Sequence, residues 1–179
     1  MNLQHANMNT GVVHGDIKPQ NVLVFKDPSG KTTIKMTDFG YSTLSAGVDG
    51  KVFLPKSRPW NAPEHHHGEF TVTEAKQTDV YSFGMLCLWF LFGNVRLLQH
   101  SKEYGFESTT GTRTSLEQLK DEDKVEQFAN QLLETVPLAD LNIAHRNLLK
   151  EFFRFTVPLD PNKRTSDIGK LVGLLDQKL

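Results

Sequence analysis

The sequence predicts a mainly α-helical fold with a small β-hairpin region near its N-terminus, an α+β arrangement. Three observations lead to this prediction. Apolar residues recur at helical spacing from Thr73 onward. Two β-rich runs, residues 21–25 and 32–37, flank a strong turn signal at residues 27–30. Residues 45–70 contain Gly, Pro, Ser and His with little periodicity, which indicates a long loop between the two regions.

The ends of the predicted helices are set by capping residues and prolines. The first long helix runs to Phe92, with Thr73 or Thr78 as its N-cap and Gly93 placed to end it. Three further helices are predicted where prolines separate the helical patterns, over residues 116–135, 142–156 and 166–178. Aromatic side chains at helical spacing usually pack in a core. We therefore expect core positions for Trp89, Phe90, Phe92, Phe152, Phe153 and Phe155.

The composition is that of an ordinary globular protein. With 179 residues, 38% of them apolar and 23% charged, the chain can bury a core as a single domain, residues 1–179. A net charge of −1 gives no basic surface, so we expect neither nucleic acid nor a membrane as a partner. The most apolar stretch, residues 80–92, is shorter than the ~20 residues that cross a bilayer. The single cysteine, Cys87, and a polar N-terminus without a signal sequence favour an intracellular, cytoplasmic protein.

Four residues suited to chemistry stand close together near the N-terminus. His14, Asp16, Lys18 and Asn21 lie in a short loop between apolar runs, and an Asp-Phe-Gly turn begins 17 residues after Asn21, at Asp38. An isolated Asp-Phe-Gly or His-x-Asp carries little information, because such short patterns arise often by chance. The complete constellation seldom does, so it indicates a function.

This constellation resembles the catalytic loop and metal-binding turn of protein kinases. Three later segments match the same family in the same order: Ala62-Pro63-Glu64 at the end of an activation segment, residues 79–84 at the start of the large buried helix, and residues 159–166 before the last helix. A proline directly after Lys18 is typical of the serine/threonine type. Over about residues 3–178 the chain is therefore similar to the C-terminal lobe of a serine/threonine protein kinase.

The resemblance divides the chain into three parts. Residues 1–44 would hold the catalytic loop and metal-binding turn, residues 45–72 the activation segment, and residues 73–179 a helical subdomain. Residues 1–13 contain no lysine, no acidic residue and no Gly-rich phosphate cover, so we expect the N-terminal lobe to be absent and this truncated kinase domain to be weakly active alone. We also expect an exposed apolar surface, which the missing lobe or a partner chain would cover.

The resemblance also assigns roles in phosphoryl transfer, which needs an aligned hydroxyl, cations against the phosphate charge and a positioned metal. Asp16 would hold the substrate hydroxyl and accept its proton. Lys18 would bind and neutralise the transferred γ-phosphate. Asn21 and Asp38 would supply the hard oxygen ligands that Mg²⁺ prefers, so ATP and Mg²⁺ are the expected cofactors.

Supporting roles are implied for residues around this set. Asp79 would brace the catalytic loop through backbone N–H groups, and Ser57 would bond the catalytic Asp and Lys with its hydroxyl. Arg164 is expected to pair with Glu64 as a charge pair. Three residues beside the reacting groups would be structural: His14, which should pack near Phe39, then Phe39 itself and Gly40.

The implied function is transfer of the ATP γ-phosphate to a serine or threonine hydroxyl of a protein substrate. One alternative is a catalytically inactive kinase-like module, a pseudokinase, that uses the same lobe for docking. The other is a small-molecule phosphotransferase, because His14-Gly15-Asp16 also opens the loop of kinases that resemble aminoglycoside and choline phosphotransferases. Those enzymes lack a lysine at this offset and lack the Ala-Pro-Glu segment, which favours a protein kinase.

Three consecutive histidines, residues 65–67, raise a metal-binding alternative. Consecutive side chains point to different sides, and no cysteine or further histidine stands at ligand spacing. We therefore expect a solvated loop at this position.

Overall fold

The computed structural model describes residues 13–42, 50–93, 115–136 and 141–165, together with Gly169 and Gly173. Strands β1 (Val22–Lys26) and β2 (Thr32–Met36) form one antiparallel pair, and β3 (Lys51–Phe53) and β4 (Glu69–Thr71) form a second. Among the described residues, the α-helices with defined bounds are α1 (Val72–Phe92), α2 (Ser115–Asp121), α3 (Val125–Thr135) and α4 (Ile143–Thr156). The predicted mainly helical α+β fold is confirmed.

The hairpin of β1 and β2 forms because its turn residues satisfy their own backbone. The two strands pair in register along their full length. Between them, the Asp27 carboxylate accepts hydrogen bonds from the backbone N–H groups of Ser29 at 2.9 Å and Lys31 at 3.0 Å. The ribbon starts directly after Asn21 and ends just before Asp38. It therefore brings these two residues to the same end of one hairpin.

The hairpin exposes apolar side chains on both faces. Val24 and Ile34 pair directly across the strands and are 64% and 61% exposed. Leu23 and Phe25 alternate with Val24 along β1, so they lie on the opposite face, and both are also exposed. This ribbon is an exposed apolar surface of the kind expected from the sequence.

The segment predicted as a loop over residues 45–70 contains more regular structure. β3 and β4 pair antiparallel with Val52 opposite Phe70, and both side chains are buried together with Val13. A 3₁₀-helix, Pro63–His67, lies between the two strands. His65 within it is buried, with its ring centroid 5.2 Å from that of Phe70, so the prediction of a solvated loop is wrong for His65. The aromatic partner on β4 accounts for the difference.

Helix α1 begins earlier than predicted. Its N-cap is Thr71, whose hydroxyl accepts a hydrogen bond from the Glu74 N–H at 3.3 Å, while the Glu74 carboxylate accepts one from the Thr71 N–H at 2.8 Å. The predicted caps Thr73 and Thr78 are wrong, because this reciprocal box satisfies two backbone donors at once. Gly93 ends the helix as predicted, with φ of 69°.

The predicted helix over residues 116–135 is two helices. α2 ends at Asp121 and α3 begins at Val125, because Asp123 adopts φ of 55° and interrupts the helical path. The prediction for α4 is confirmed: Asn142 is its N-cap and accepts a hydrogen bond from the His145 N–H at 2.9 Å. Almost all of the predicted helix over residues 166–178 lies outside the described residues.

The main core lies between the helices, where α1 packs against α4, α4 against α3, and α3 against α2. Its largest fully buried side chains include Tyr81, Phe92, Phe128 and Phe153. Of the aromatic residues predicted for the core, Phe92, Phe152 and Phe153 are buried and Trp89 packs partly buried against them. The predictions for Phe90 and Phe155 are wrong, since these side chains are 74% and 37% exposed. A helix that buries one stripe leaves the opposite stripe in solvent.

Two further features of the helices concern the reactivity of the Cys87 thiol and whether a helix could cross a membrane. Cys87 packs against the core from α1, and burial raises the pKa of its thiol to about 12, so it stays protonated at neutral pH. In the ranges that the structure describes, no helix combines the length and the apolar character needed to cross a bilayer.

Gly84 lets α1 approach the end of α4 closely. A Cβ atom at position 84 would lie 2.6 Å from both Thr156 Oγ1 and Val157 Cγ1, inside van der Waals contact. We expect Gly84→Ala to lower the free energy of unfolding by about 1–3 kcal/mol through overpacking, although alanine favours helices. Urea denaturation measures this loss. Lys76→Ala, at an exposed position of the same helix, is the control; equal stability of the two variants would contradict the close packing.

Candidate active site

The predicted catalytic loop turns sharply after Val13 and buries an ion pair. Lys18 Nζ lies 2.6 Å from Asp16 Oδ2 and donates a hydrogen bond to Ser57 Oγ at 3.1 Å. The Asp16 side chain is only 3% exposed, whereas Lys18 keeps contact with solvent. A carboxylate buried this deeply needs a charged partner. The structure therefore brings together Asp16, Lys18 and Ser57, which the sequence separates by up to 41 residues.

Asn21 is held against the same carboxylate. The 3₁₀-helix Pro19–Asn21 turns the chain so that Asn21 Nδ2 donates to the backbone oxygen of Asp16 at 2.8 Å and to Asp16 Oδ2 at 3.2 Å. The amide oxygen lies on the other side of the planar amide group and takes no part in these bonds. Asn21 thus keeps a neutral oxygen for another ligand.

The second carboxylate oxygen of Asp16 is an unused acceptor. Oδ2 receives the bonds from Lys18 and Asn21, whereas Oδ1 is buried and has no hydrogen-bond partner among the described residues. Leaving a buried acceptor unsatisfied costs about 1–3 kcal/mol. Unsatisfied buried groups in native structures are often ones with a catalytic role.

His14 joins the loop to the Asp-Phe-Gly turn. Its Nε2 lies 3.0 Å from Thr37 O, and its Nδ1 accepts a hydrogen bond from the Asp16 N–H at 3.2 Å. These contacts require a neutral ring with its proton on Nε2. Burial lowers the pKa of His14, which keeps the ring neutral. The ring centroid also lies 4.6 Å from that of Phe39, the neighbour that the sequence suggests.

Asp38, at the same end of the hairpin as Asn21, is exposed to solvent. The Thr37 N–H donates to Asn21 O at 3.0 Å, which fastens the residue before Asp38 to Asn21. Asp38 is exposed and has φ of 63°, a left-handed conformation that its short polar side chain tolerates. A Cβ at Gly40 would lie 3.4 Å from Asp38 Oδ1, so the glycine leaves the carboxylate uncovered.

The donor set at this end of the hairpin fits Mg²⁺. Within the described ranges, no three His, Cys, Asp or Glu side chains converge to hold a metal. The oxygen donors are instead the Asn21 amide and the single Asp38 carboxylate. Mg²⁺ is typically bound by one or two protein oxygens together with water and phosphate oxygens. These residues therefore suit a metal that arrives with a phosphate ligand.

A carboxylate from α1 holds the start of the loop. Asp79 accepts hydrogen bonds from the backbone N–H groups of His14 at 2.6 Å and Gly15 at 2.9 Å. Burial raises the pKa of Asp79 to about 7, and the two donors oppose this rise. Gly15 has φ of 83°, and a Cβ there would lie 2.8 Å from Tyr41 O. The backbone conformation and the close approach of Tyr41 both favour glycine.

Arg164 joins the segment after Ser57 to the helical core. Its guanidinium donates to the two Glu64 carboxylate oxygens at 2.5 and 2.9 Å, and to Gln77 O at 3.0 Å. The guanidinium is fully buried, and its central carbon lies 4.8 Å from the centroid of the Tyr81 ring. A bidentate pair of this kind fixes orientation as well as distance. The pairing of Arg164 with Glu64 expected from the resemblance is present.

The chain matches a known protein family over nearly its whole length. Residues 2–173 match the family model of the protein kinase domain. The chain belongs to the protein kinase family.

Three curated proteins that are similar to this kinase domain carry the name serine/threonine-protein kinase. CHK1 of Saccharomyces cerevisiae is 28% identical over 169 residues, which cover 92% of this chain and 27% of that protein. CTR1 of Arabidopsis thaliana is 37% identical over 114 residues, 60% of this chain and 13% of that protein. MST20 of Pyricularia oryzae is 26% identical over 172 residues, 93% of this chain and 15% of that protein. The chain thus spans less than a third of the length of each of these relatives.

The kinase domain contains one buried charge that sequence reasoning missed. Lys120, on α2, is 5% exposed, and its Nζ donates to Pro59 O at 2.9 Å and to Asn61 O at 2.6 Å. In the sequence it is one of several alternating charges in a short helix, a pattern typical of a solvated face. Its partners lie about 60 residues earlier, so no local signal identifies it.

We expect Asp79→Asn to lower the free energy of unfolding by about 1–3 kcal/mol, because one amide oxygen cannot accept both backbone hydrogen bonds and the new NH₂ group faces a donor. Denaturant unfolding at neutral pH measures the loss. Glu134→Gln is the matched control, since it removes an exposed carboxylate paired with Lys150 and should cost at most about 1 kcal/mol. If the two variants were equally stable, Asp79 would not be what holds the loop.

Proposed function

We propose that this kinase domain transfers the γ-phosphate of ATP to a serine or threonine hydroxyl of a protein. One observation carries the proposal: the buried ion pair of Asp16 and Lys18 at 2.6 Å, with an unused Asp16 oxygen beside it. An acceptor for a hydroxyl and a cation for a phosphate are the two groups that the reaction needs side by side.

Asp16 acts on the attacking hydroxyl. Oδ1 accepts the hydrogen bond of the substrate O–H and aligns its oxygen with the γ-phosphorus. As the new P–O bond forms and the bond to the β-phosphate oxygen breaks, the hydroxyl proton passes to Asp16 and ADP leaves. The bonds from Lys18 and Asn21 to Oδ2 keep the carboxylate in place without occupying Oδ1. Asp16 is therefore the proposed catalytic base.

Lys18 stabilises the negative charge that moves during transfer. Its ammonium has three donors, of which one faces Asp16 and one faces Ser57. The third is available for an oxygen of the transferred phosphate. Ser57 holds the ammonium on this side, so the charge is oriented before the substrate binds, and preorganised charge of this kind lowers the barrier.

Asn21 and Asp38 are the proposed ligands for Mg²⁺, which would neutralise negative charge on the phosphates of bound ATP. The hydrogen bonds of Asn21 to Asp16 keep its amide oxygen directed away from the ion pair. The neutral ring of His14 adds no positive charge beside the metal position. Phe39 and Gly40 support the turn around Asp38.

Serine and threonine are the favoured acceptors for two reasons. Lys18 is followed by Pro19, and the Ser57 hydroxyl lies beside Lys18, as expected for the serine/threonine type.

The exposed apolar hairpin of β1 and β2 is suited to contact with a second lobe or a partner chain. We place the protein inside the cell, in keeping with its single cysteine, which is partly buried against the core.

The test is transfer of labelled γ-phosphate from Mg-ATP to a mixture of serine- and threonine-containing peptides. We expect Asp16→Asn to lower kcat by about 10²- to 10⁴-fold, because it removes the proton acceptor. Asp38→Asn should abolish the magnesium-dependent increase in Tm on ATP binding. Asp160→Asn is the matched control, since asparagine can also cap the 3₁₀-helix there.

Two results together would overturn the proposal: no stabilisation by Mg-ATP, and no label that depends on Asp16. They would leave an inactive docking module as the function. Label on small alcohols or aminoglycosides but not on peptides would indicate a small-molecule phosphotransferase instead.

A further inference from the structure

A buried ammonium from the helical core grips the segment that faces the proposed active site. Residues 57–61, here called the substrate strip, receive two hydrogen bonds from Lys120: one at Pro59 O, 2.9 Å away, and one at Asn61 O, 2.6 Å away. The Trp60 side chain, between these two carbonyls, lies with its ring centroid 6.0 Å from that of Trp89 on α1. The strip is therefore attached to both α2 and α1.

The substrate strip is a single hydrogen-bonded unit. Ser57 O accepts hydrogen bonds from the Trp60 N–H at 2.9 Å and from the Asn61 N–H at 3.0 Å. The carbonyls that Lys120 holds therefore belong to the same tight turn as Ser57. At the other end of that turn, Ser57 Oγ accepts the hydrogen bond from Lys18. Displacing Pro59 and Asn61 would displace the group that orients Lys18.

Burying the ammonium of Lys120 costs free energy unless its charge forms compensating contacts. Lys120 is 5% exposed, and its Nζ lies 5.8 Å from the centroid of the Tyr81 ring, which faces Arg164 as well. An apolar side chain of similar length would fill the same space without the cost of burying an ammonium. The two carbonyl bonds and the aromatic ring are the groups that compensate for this cost.

We propose that Lys120 is a positioning residue for phosphoryl transfer: its ammonium fixes the substrate strip, and through Ser57 it sets the place of Lys18 beside Asp16. The inference rests on the proposed kinase activity and assigns a role to a residue that touches neither phosphate nor acceptor. Because the acceptor would bind beside Asp16 and Lys18, we expect Lys120 to affect how the acceptor peptide binds as well.

The protonation of Lys120 gives this role a distinctive pH dependence. Burial lowers the pKa of Lys120 to about 8. Charged and titratable groups face it from every neighbouring element: Glu117 and Asp121 on α2, Arg58, Glu64 and His65 on the segment after β3, and Tyr81 on α1. Below the pKa the ammonium holds both carbonyls; above it the neutral amine forms weaker bonds. The two hydrogen bonds from Lys120 to the strip therefore weaken as pH rises through about 8.

The first experiment measures the strip itself and needs no activity. Amide hydrogen exchange is followed at Trp60 and Asn61 in the wild type, in Lys120→Met and in Lys124→Met. We expect protection of both amides to fall by about tenfold or more in Lys120→Met, because the turn opens more easily without the charge-assisted bonds. Lys124→Met is the matched control, since it removes an exposed lysine from the next turn. Unchanged protection in Lys120→Met would overturn the inference.

The second experiment measures kinetics against pH in the same variants and in Lys120→Arg. We expect Lys120→Met to lower kcat/KM for the acceptor peptide by about 10- to 100-fold, with contributions from both kcat and KM. In the wild type, kcat/KM should fall above about pH 8. Lys120→Arg should retain activity at neutral pH and shift this fall to higher pH, because a guanidinium stays charged.

The two experiments separate failure of this inference from failure of the proposed function. If the wild type gives Asp16-dependent transfer but Lys120→Arg has the same alkaline limb as the wild type, Lys120 does not position the site. If the strip loosens in Lys120→Met while the wild type transfers no phosphate, the proposed function falls and with it the catalytic part of this role. Should Lys120→Met fail to fold, the comparison of Lys120→Arg with the wild type still decides the matter.

Discussion

The loop that carries Asp16 depends on one carboxylate outside it. Asp79, in the first half of α1, accepts the backbone N–H groups of His14 and Gly15, and no other acceptor is provided for these donors in the described part of the chain. Since α1 is capped at both ends and packs in the main core, Asp79 anchors the loop to the core. The ion pair of Asp16 with Lys18 then forms in a preorganised place, and its short distance follows from the scaffold.

The same helix supports the other side of the site. Tyr81, two residues after Asp79, presents its ring to both Arg164 and Lys120. Arg164 holds Glu64, and Lys120 holds the carbonyls of the substrate strip, so both ends of the segment after Ser57 are tied to the core by cations. α1 thus positions the catalytic loop through a carboxylate and the opposite wall through an aromatic ring. A single helix therefore supports both the catalytic loop and the segment after Ser57.

The sequence revealed features that are determined within a few residues and missed those determined by distant contacts. The hairpin, the end of α1 at Gly93 and the span of α4 follow from local turn residues, capping residues and apolar spacing. The capping box of Thr71 with Glu74 is also a local sequence pattern, but Thr73 and Thr78 are equally acceptable N-caps for the apolar pattern. The burial of His65 and Lys120 could not be read, because it depends on Phe70 packing across a short sheet and on carbonyls from another segment. The grouping of Asp16, Lys18, Asn21 and Asp38 was visible only because their order and spacing form a pattern as a whole.

The left-handed backbone at Asp38 restricts which residues can occupy this position. At φ of 63° most side chains are strained, and the residues that accept this conformation readily are glycine, asparagine and aspartate. Of these three, aspartate alone carries a charge. The backbone conformation and the proposed metal-binding role therefore favour the same amino acid, and a change to asparagine or glycine would remove the carboxylate without disturbing the turn. If the proposed activity holds, a single substitution at this position could abolish it and leave a folded domain that serves a non-enzymatic role.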